Sequence, residues 1–72
     1  MIWDYAKLLG RMRQKSLTQT ELAEMAGISP CSLNLKLNNK REFRQSEIHA
    51  ICAALNIDVQ QIGAYFFETG NS

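Results

Sequence analysis

At 72 residues, with 46% hydrophobic and 21% charged side chains, the chain is too short for more than one domain and too apolar for a disordered segment. Its net charge of +1 is low for a dedicated high-affinity nucleic-acid binder. The charge is also divided: all eight Lys and Arg lie at or before Arg44, alongside four acids, and three acids with no Lys or Arg follow. Such a dipolar chain offers one face to phosphates and keeps the other for something else.

Asp4 is placed to cap a first helix that runs to about Lys15, because Tyr5, Leu8, Leu9 and Met12 recur at helical spacing. Lys7, Arg11, Arg13 and Lys15 are expected on its outer side and end, where cations complement the helix dipole. Thr18 followed by Glu21 is a capping box and starts a second helix. Gly27 ends it. Ser29 then caps a third helix with Pro30 at its first position, where a missing N–H costs nothing. Leu22, Ala23 and Ala26 face inward, Ile28 plugs the angle between the helices, and Leu33 anchors the third. A residue larger than Ala23 would push the two helices apart. Leu37 shares the face of Leu33, and Leu35 is predicted to point outward.

Asn38, Asn39 and Lys40 stop this helix, since asparagine tolerates the left-handed conformation. Residues 41–44 form a short loop with Phe43 as a core plug. A fourth helix starts at Gln45 or Ser46, turns Ile48, Ile51, Cys52 and Leu55 inward, and closes at Asn56. Asp58 followed by Gln61 resembles another capping box, and Val59, Ile62 and Phe66 give a fifth helix one apolar stripe flanked by Tyr65 and Phe67. Residues 68–72 read as a frayed tail. The prediction is therefore an all-α, compact five-helix domain over residues 1–72, with its core at about 4–67.

Neither cysteine belongs to a metal pattern: Cys31 and Cys52 are far apart, there is no CxxC pair, and His49 is the only histidine. Cys52 reads as a small core hydrophobe and His49 as a solvated or capping residue. No nucleophile–base pair, carboxylate pair or phosphate loop is present, so neither an enzyme nor a cofactor is predicted. No apolar run approaches a membrane span and the N-terminus lacks a signal-peptide layout, which predicts a cytoplasmic protein.

Gln19, Leu22, Ala23, Gly27, Ile28, Ser29 and Leu33, followed by Asn38-Asn39-Lys40, Phe43 and the helix from Ile48 to Leu55, resemble the lambda-repressor-like, Cro-type helix-turn-helix family. Trp3 and Tyr5 near one end, with Tyr65-Phe66-Phe67 near the other, are similar to the small regulators that modulate repression in lactococcal temperate phages. The first resemblance implies the fold. The second implies a component of a lysis–lysogeny switch that acts on the phage's own repressor. Lys36 departs from the family, which places an apolar residue three positions after the buried Leu33, and the departure predicts a third helix rotated or extended relative to it.

Carried over by position, the family's DNA contacts fall on Gln19, which would touch phosphate, and on Ser29, Cys31, Ser32, Asn34, Leu35 and Lys36, which would face the major groove. This inventory is poor, with no Arg, Gln or Glu on the third helix to read a base edge and only Asn34 or Asn38 suited to adenine. The aromatic end points instead to a protein: Trp3, Tyr5, Tyr65, Phe66 and Phe67 form the expected partner interface. Glu47, Asp58 and Glu68 beside it would oppose a positive face in place of phosphate. The leading expectation is an antirepressor that binds the N-terminal DNA-binding domain of the phage repressor as a heterodimer, touching operator DNA only with the repressor if at all. The alternative is a Cro-like homodimeric operator-binding repressor, and an antitoxin shares the same fold.

Overall fold

The computed structural model describes residues 2–68 as five α-helices: α1 Ala6–Gln14, α2 Gln19–Ala26, α3 Pro30–Leu37, α4 Gln45–Leu55 and α5 Ile62–Phe66, with a 3-10 turn at Val59–Gln61 before the last. Residues 69–72, most of the predicted tail, lie outside the described residues. The fold is all-α and lambda-repressor-like. Its helices surround one apolar cluster in which Leu8, Leu22, Ala23, Leu33, Ile51, Leu55 and Phe66 are all but fully buried. The central α4 packs against α2 and α5, α2 also against α3, and α1 against α5.

The first four helices end by the same local device. Ser16, Gly27, Asn39 and Asn56 take positive φ values of 56°, 76°, 62° and 59°. The next residue then donates its N–H back across five positions: Leu17 to Met12, Ile28 to Ala23, Lys40 to Leu35 and Ile57 to Cys52, at 2.8 to 3.0 Å. These bonds satisfy carbonyls that helix ends leave orphaned, and a left-handed residue is the geometric requirement. In three of the four cases the donor is apolar and packs on the core. Leu17 and Ile57 thereby join a core that helical periodicity had not included.

Open space surrounds the position a Cβ would occupy on Gly27, so its conformation and not crowding demands glycine. Gly27→Ala is expected to cost about 1 kcal/mol and lower Tm by roughly 4–8 °C, with Gly27→Asn milder. Thermal unfolding followed by circular dichroism measures both.

Helix starts agree with expectation at α2 and α3. The Thr18 hydroxyl accepts the Glu21 N–H at 3.1 Å, Glu21 accepts the Thr18 N–H at 2.9 Å, and Ser29 Oγ accepts the Ser32 N–H at 3.1 Å. The fourth helix also starts where expected, at Gln45, but α1 and the fifth helix need correction. Asp4 stands one position before the N-cap and binds the Ala6 N–H at 2.9 Å. The expected fifth helix splits, because Asp58 caps a 3-10 turn through the Gln60 N–H at 3.2 Å. Val59 then faces solvent at 65% exposure and leaves the apolar stripe to Ile62 and Phe66.

Arg11 also departs from its predicted outward place. Its Nε donates to the Leu55 carbonyl at 2.9 Å and its Nη2 to the Asn56 carbonyl at 3.0 Å, so a cation from α1 caps the C-terminus of α4.

Candidate nucleic-acid and protein interfaces

The helix-turn-helix face is built from the start of α2 and the outer side of α3. Asn34 Nδ2 lies 3.4 Å from Gln19 Oε1, bridging the two helices on the surface. Ser29, Cys31 and Asn34 are exposed, while Ser32 and Leu35 are half-buried, so Leu35 points out only in part. Asn38 is spent on its own helix, donating to the Asn34 carbonyl at 2.8 Å.

Lys36 is the main correction. It is buried, and its ammonium meets Glu47 Oε1 at 2.5 Å. The same carboxylate oxygen accepts the Arg44 N–H at 2.8 Å, tying the end of α3 to the start of α4. Burial works to raise the Glu47 pKa, but the hydrogen bonds from Lys36 and the Arg44 amide, with both cations' charges, outweigh it and hold it below the ordinary carboxylate value. Lys36 therefore takes an inward position on α3 beside Leu33, where the helix-turn-helix resemblance predicts an apolar side chain. It does not face the groove. Glu47, in turn, is unavailable to oppose a partner's positive face.

The N-terminus of α2 is also less inviting to phosphate than its position suggests. Glu21 sits on it, and its carboxyl is held below the usual value first by the Thr18 backbone N–H and then by the Thr18 hydroxyl. A fixed negative charge there competes with an incoming anion. Positive charge gathers instead on exposed Lys40, Arg41 and Arg44 beyond the end of α3. The predicted DNA-facing set does not include this basic cluster, for which the run Lys40-Arg41-Glu42-Phe43-Arg44 is the sequence signal.

The aromatic end divides into buried and accessible parts. Tyr5 at 5% and Phe66 at 1% exposure are core residues and not contact residues. Phe43 joins them edge-on, with its ring centre 5.5 Å from Tyr5 and 5.3 Å from Phe66. Burial, and secondarily the Glu42 charge, pushes the Tyr5 phenol up.

Trp3, Tyr65 and Phe67 remain accessible, but Tyr65 lies apart from the other two. Residues two apart on a helix point in nearly opposite directions. Tyr65 accordingly lines a cleft between α1 and α5 with Lys7, Gly10 and Gln14, whereas Phe67 lines a groove with Phe43, Ile48 and Ile62. Trp3 meets Phe67 edge-on at 5.6 Å. The Trp3 backbone N–H donates to Asn39 Oδ1 at 2.8 Å and the Trp3 carbonyl accepts from Asn39 Nδ2 at 2.9 Å, pinning this segment to the end of the third helix.

The family described as "Protein of unknown function (DUF739)" matches residues 1–69. The chain belongs to this family. The DUF739 chain is also similar in structure to the modulator of repression of the temperate bacteriophage TP901-1 from Lactococcus lactis, seen in a solution structure. The TM-score is 0.77 and the identity 37%, covering 93% of this chain and 90% of that one. No curated protein matches it. The relationship supports a phage regulatory role for this DUF739 protein. Among the described residues no helix is long and apolar enough to cross a membrane, and no group of three or more His, Cys, Asp or Glu is placed to hold a metal ion.

Proposed function

We propose that this DUF739 protein modulates repression by binding the N-terminal DNA-binding domain of its phage's repressor and keeping that domain off its operators. The observation that carries this reading is the burial of Lys36. It leaves the outer face of α3 without a cation, next to an α2 N-terminus already occupied by Glu21. Sequence-independent DNA affinity scales with the number of phosphates neutralised, and a face so equipped neutralises few. The accessible Trp3–Phe67 pair supplies the apolar anchor that a protein partner requires. The similarity to a phage modulator of repression is of the same character.

A second reading, operator binding by a Cro-like dimer of this chain, draws on the Gln19–Asn34 bridge and on exposed Lys40, Arg41 and Arg44. One titration separates the two. The repressor's N-terminal domain is bound to labelled operator DNA at near-physiological salt, and this protein is added while anisotropy is followed. The expected result is a fall to the value of free DNA. A rise, or binding of this protein to the operator alone with a steep salt dependence, would replace the first reading with the second.

A further inference from the structure

Asn39 has two roles at the end of α3. Its backbone takes the left-handed turn at φ 62°, and the Lys40 N–H then reaches the Leu35 carbonyl at 2.8 Å. Its side-chain amide holds the backbone of Trp3: Oδ1 accepts the Trp3 N–H at 2.8 Å and Nδ2 donates to the Trp3 carbonyl at 2.9 Å. Glycine would serve the turn equally well, as it does at Gly27. The grip on Trp3 requires a side chain with both a donor and an acceptor.

Residues 2–4 run from this grip to the far end of α5. There the Asp4 N–H donates to the Glu68 carbonyl at 2.7 Å, and the Trp3 ring meets Phe67 edge-on at 5.6 Å. Apolar burial adds little to these contacts. Ile2 is 68% exposed, Asp4 is exposed, and Trp3 is half-buried. A hollow of about 70 Å³ is lined by Trp3 and by Tyr5, Phe43, Ile48 and Phe66, so the indole covers the core without filling against it. Tyr5, at 5% exposure, anchors the chain immediately afterwards. A segment held chiefly by hydrogen bonds, and burying one side chain in part, opens at far lower cost than the core.

We propose that residues 2–4 form a releasable strap that couples the aromatic end of the molecule to the helix-turn-helix. Closed, it braces the left-handed end of α3 through Asn39. Released, it uncovers the aromatic floor beneath Trp3 and loosens the turn that leads to Lys40 and Arg41. The two ends share one equilibrium, so whatever lifts Trp3 acts on Asn39, and whatever distorts Asn39 frees Trp3 by the same free energy. This coupling belongs to the chain alone and does not depend on which partner it meets.

The test reads each variant at the opposite end of the strap. Asn39→Gly keeps the left-handed turn and removes the amide. Fluorescence of Trp3, the sole tryptophan, should then shift to the red and become as accessible to acrylamide quenching as an indole in an unfolded peptide. Trp3→Pro removes the N–H that Asn39 accepts. Hydrogen exchange followed by NMR should then show the Lys40 amide exchanging roughly five- to tenfold faster, the scale of a net hydrogen bond. The Ile28 and Ile57 amides close α2 and α4 by the same kind of bond and should stay within about twofold of the parent. Parent-like quenching of Trp3 in Asn39→Gly would overturn the coupling. So would a Lys40 amide that accelerates no more than those of Ile28 and Ile57, which would report a general loss of stability. A Trp3→Pro chain without native helicity would also overturn it, since a strap by definition leaves without unfolding the core.

Discussion

Replacing Lys36 by Met is expected to destabilise the protein by about 3 kcal/mol, although an unbranched apolar side chain of similar length suits the inward position. The cost arises at Glu47, which would remain buried without its cation. It falls at the low end of the range for broken buried pairs because the Arg44 N–H still bonds the carboxylate. For a domain of this size, 3 kcal/mol corresponds to a Tm lower by roughly 12–24 °C. The double variant Lys36→Met with Glu47→Gln should recover a large share of the loss, since glutamine keeps the bond to Arg44 and removes the charge. A thermodynamic cycle over the four proteins measures the coupling directly. Additive effects would mean that the two side chains do not support each other.

The same pair makes a signed prediction for pH. In the parent the Glu47 pKa is lowered on folding, so its contribution is fully present above the ordinary carboxylate range and is lost as pH falls through the lowered folded value. In Lys36→Met, burial dominates and raises that pKa, so protonation relieves the variant as pH falls. The stability gap between parent and variant should therefore be widest near pH 7 and narrow toward pH 4. Denaturant titrations at a series of pH values would show it, and a gap independent of pH would place the cost in packing.

Phe66→Ala and Phe67→Ala should behave as opposites despite adjacent positions. Phe66 is 1% exposed and packs edge-on against Phe43 within the core, so its loss is expected to cost about 3–5 kcal/mol. In a 72-residue protein that approaches the whole of the folding free energy. Phe66→Ala should therefore be largely unfolded at 37 °C by circular dichroism and lack the dispersed NMR spectrum of a packed core. Phe67, half exposed and touching Trp3 by an edge, should cost under about 1 kcal/mol and fold normally. The contrast matters for function, because only the second variant reports on binding. A folded Phe66→Ala protein would mean that the aromatic cluster of Tyr5, Phe43 and Phe66 contributes less than its burial implies.

Much of this architecture was legible in the chain because it is encoded within four or five residues of where it acts. Thr18 with Glu21, Ser29 with Pro30, and Gly27 each contain both partners of their own hydrogen bonds or their own backbone preference. The i, i+4 spacing of Leu33 and Leu37, or of Ile48 and Cys52, names an inward face without knowledge of what lies opposite. Those signals were enough for the helices, for the turn between α2 and α3, and for the family's fold.

Three features depended on residues far apart in sequence, and there the local rules pointed elsewhere. Lys36 reads as a solvated cation until α4 delivers Glu47, eleven positions on, to the same place, and a low-dielectric interior accepts the charge only because its counter-ion arrives with it. Arg11 reads as surface decoration until the end of α4, 44 positions away, presents two orphaned carbonyls to it. Tyr65-Phe66-Phe67 reads as one aromatic anchor until a five-residue α5 is packed between α1 and α4, which buries the middle ring and sends the outer two to different clefts. Sequence by itself determined where α2 and α3 begin and where the turn between them falls, because those caps and that turn are satisfied locally. Tertiary structure alone decided which charges are free and which aromatics are accessible, because both depend on the element packed opposite.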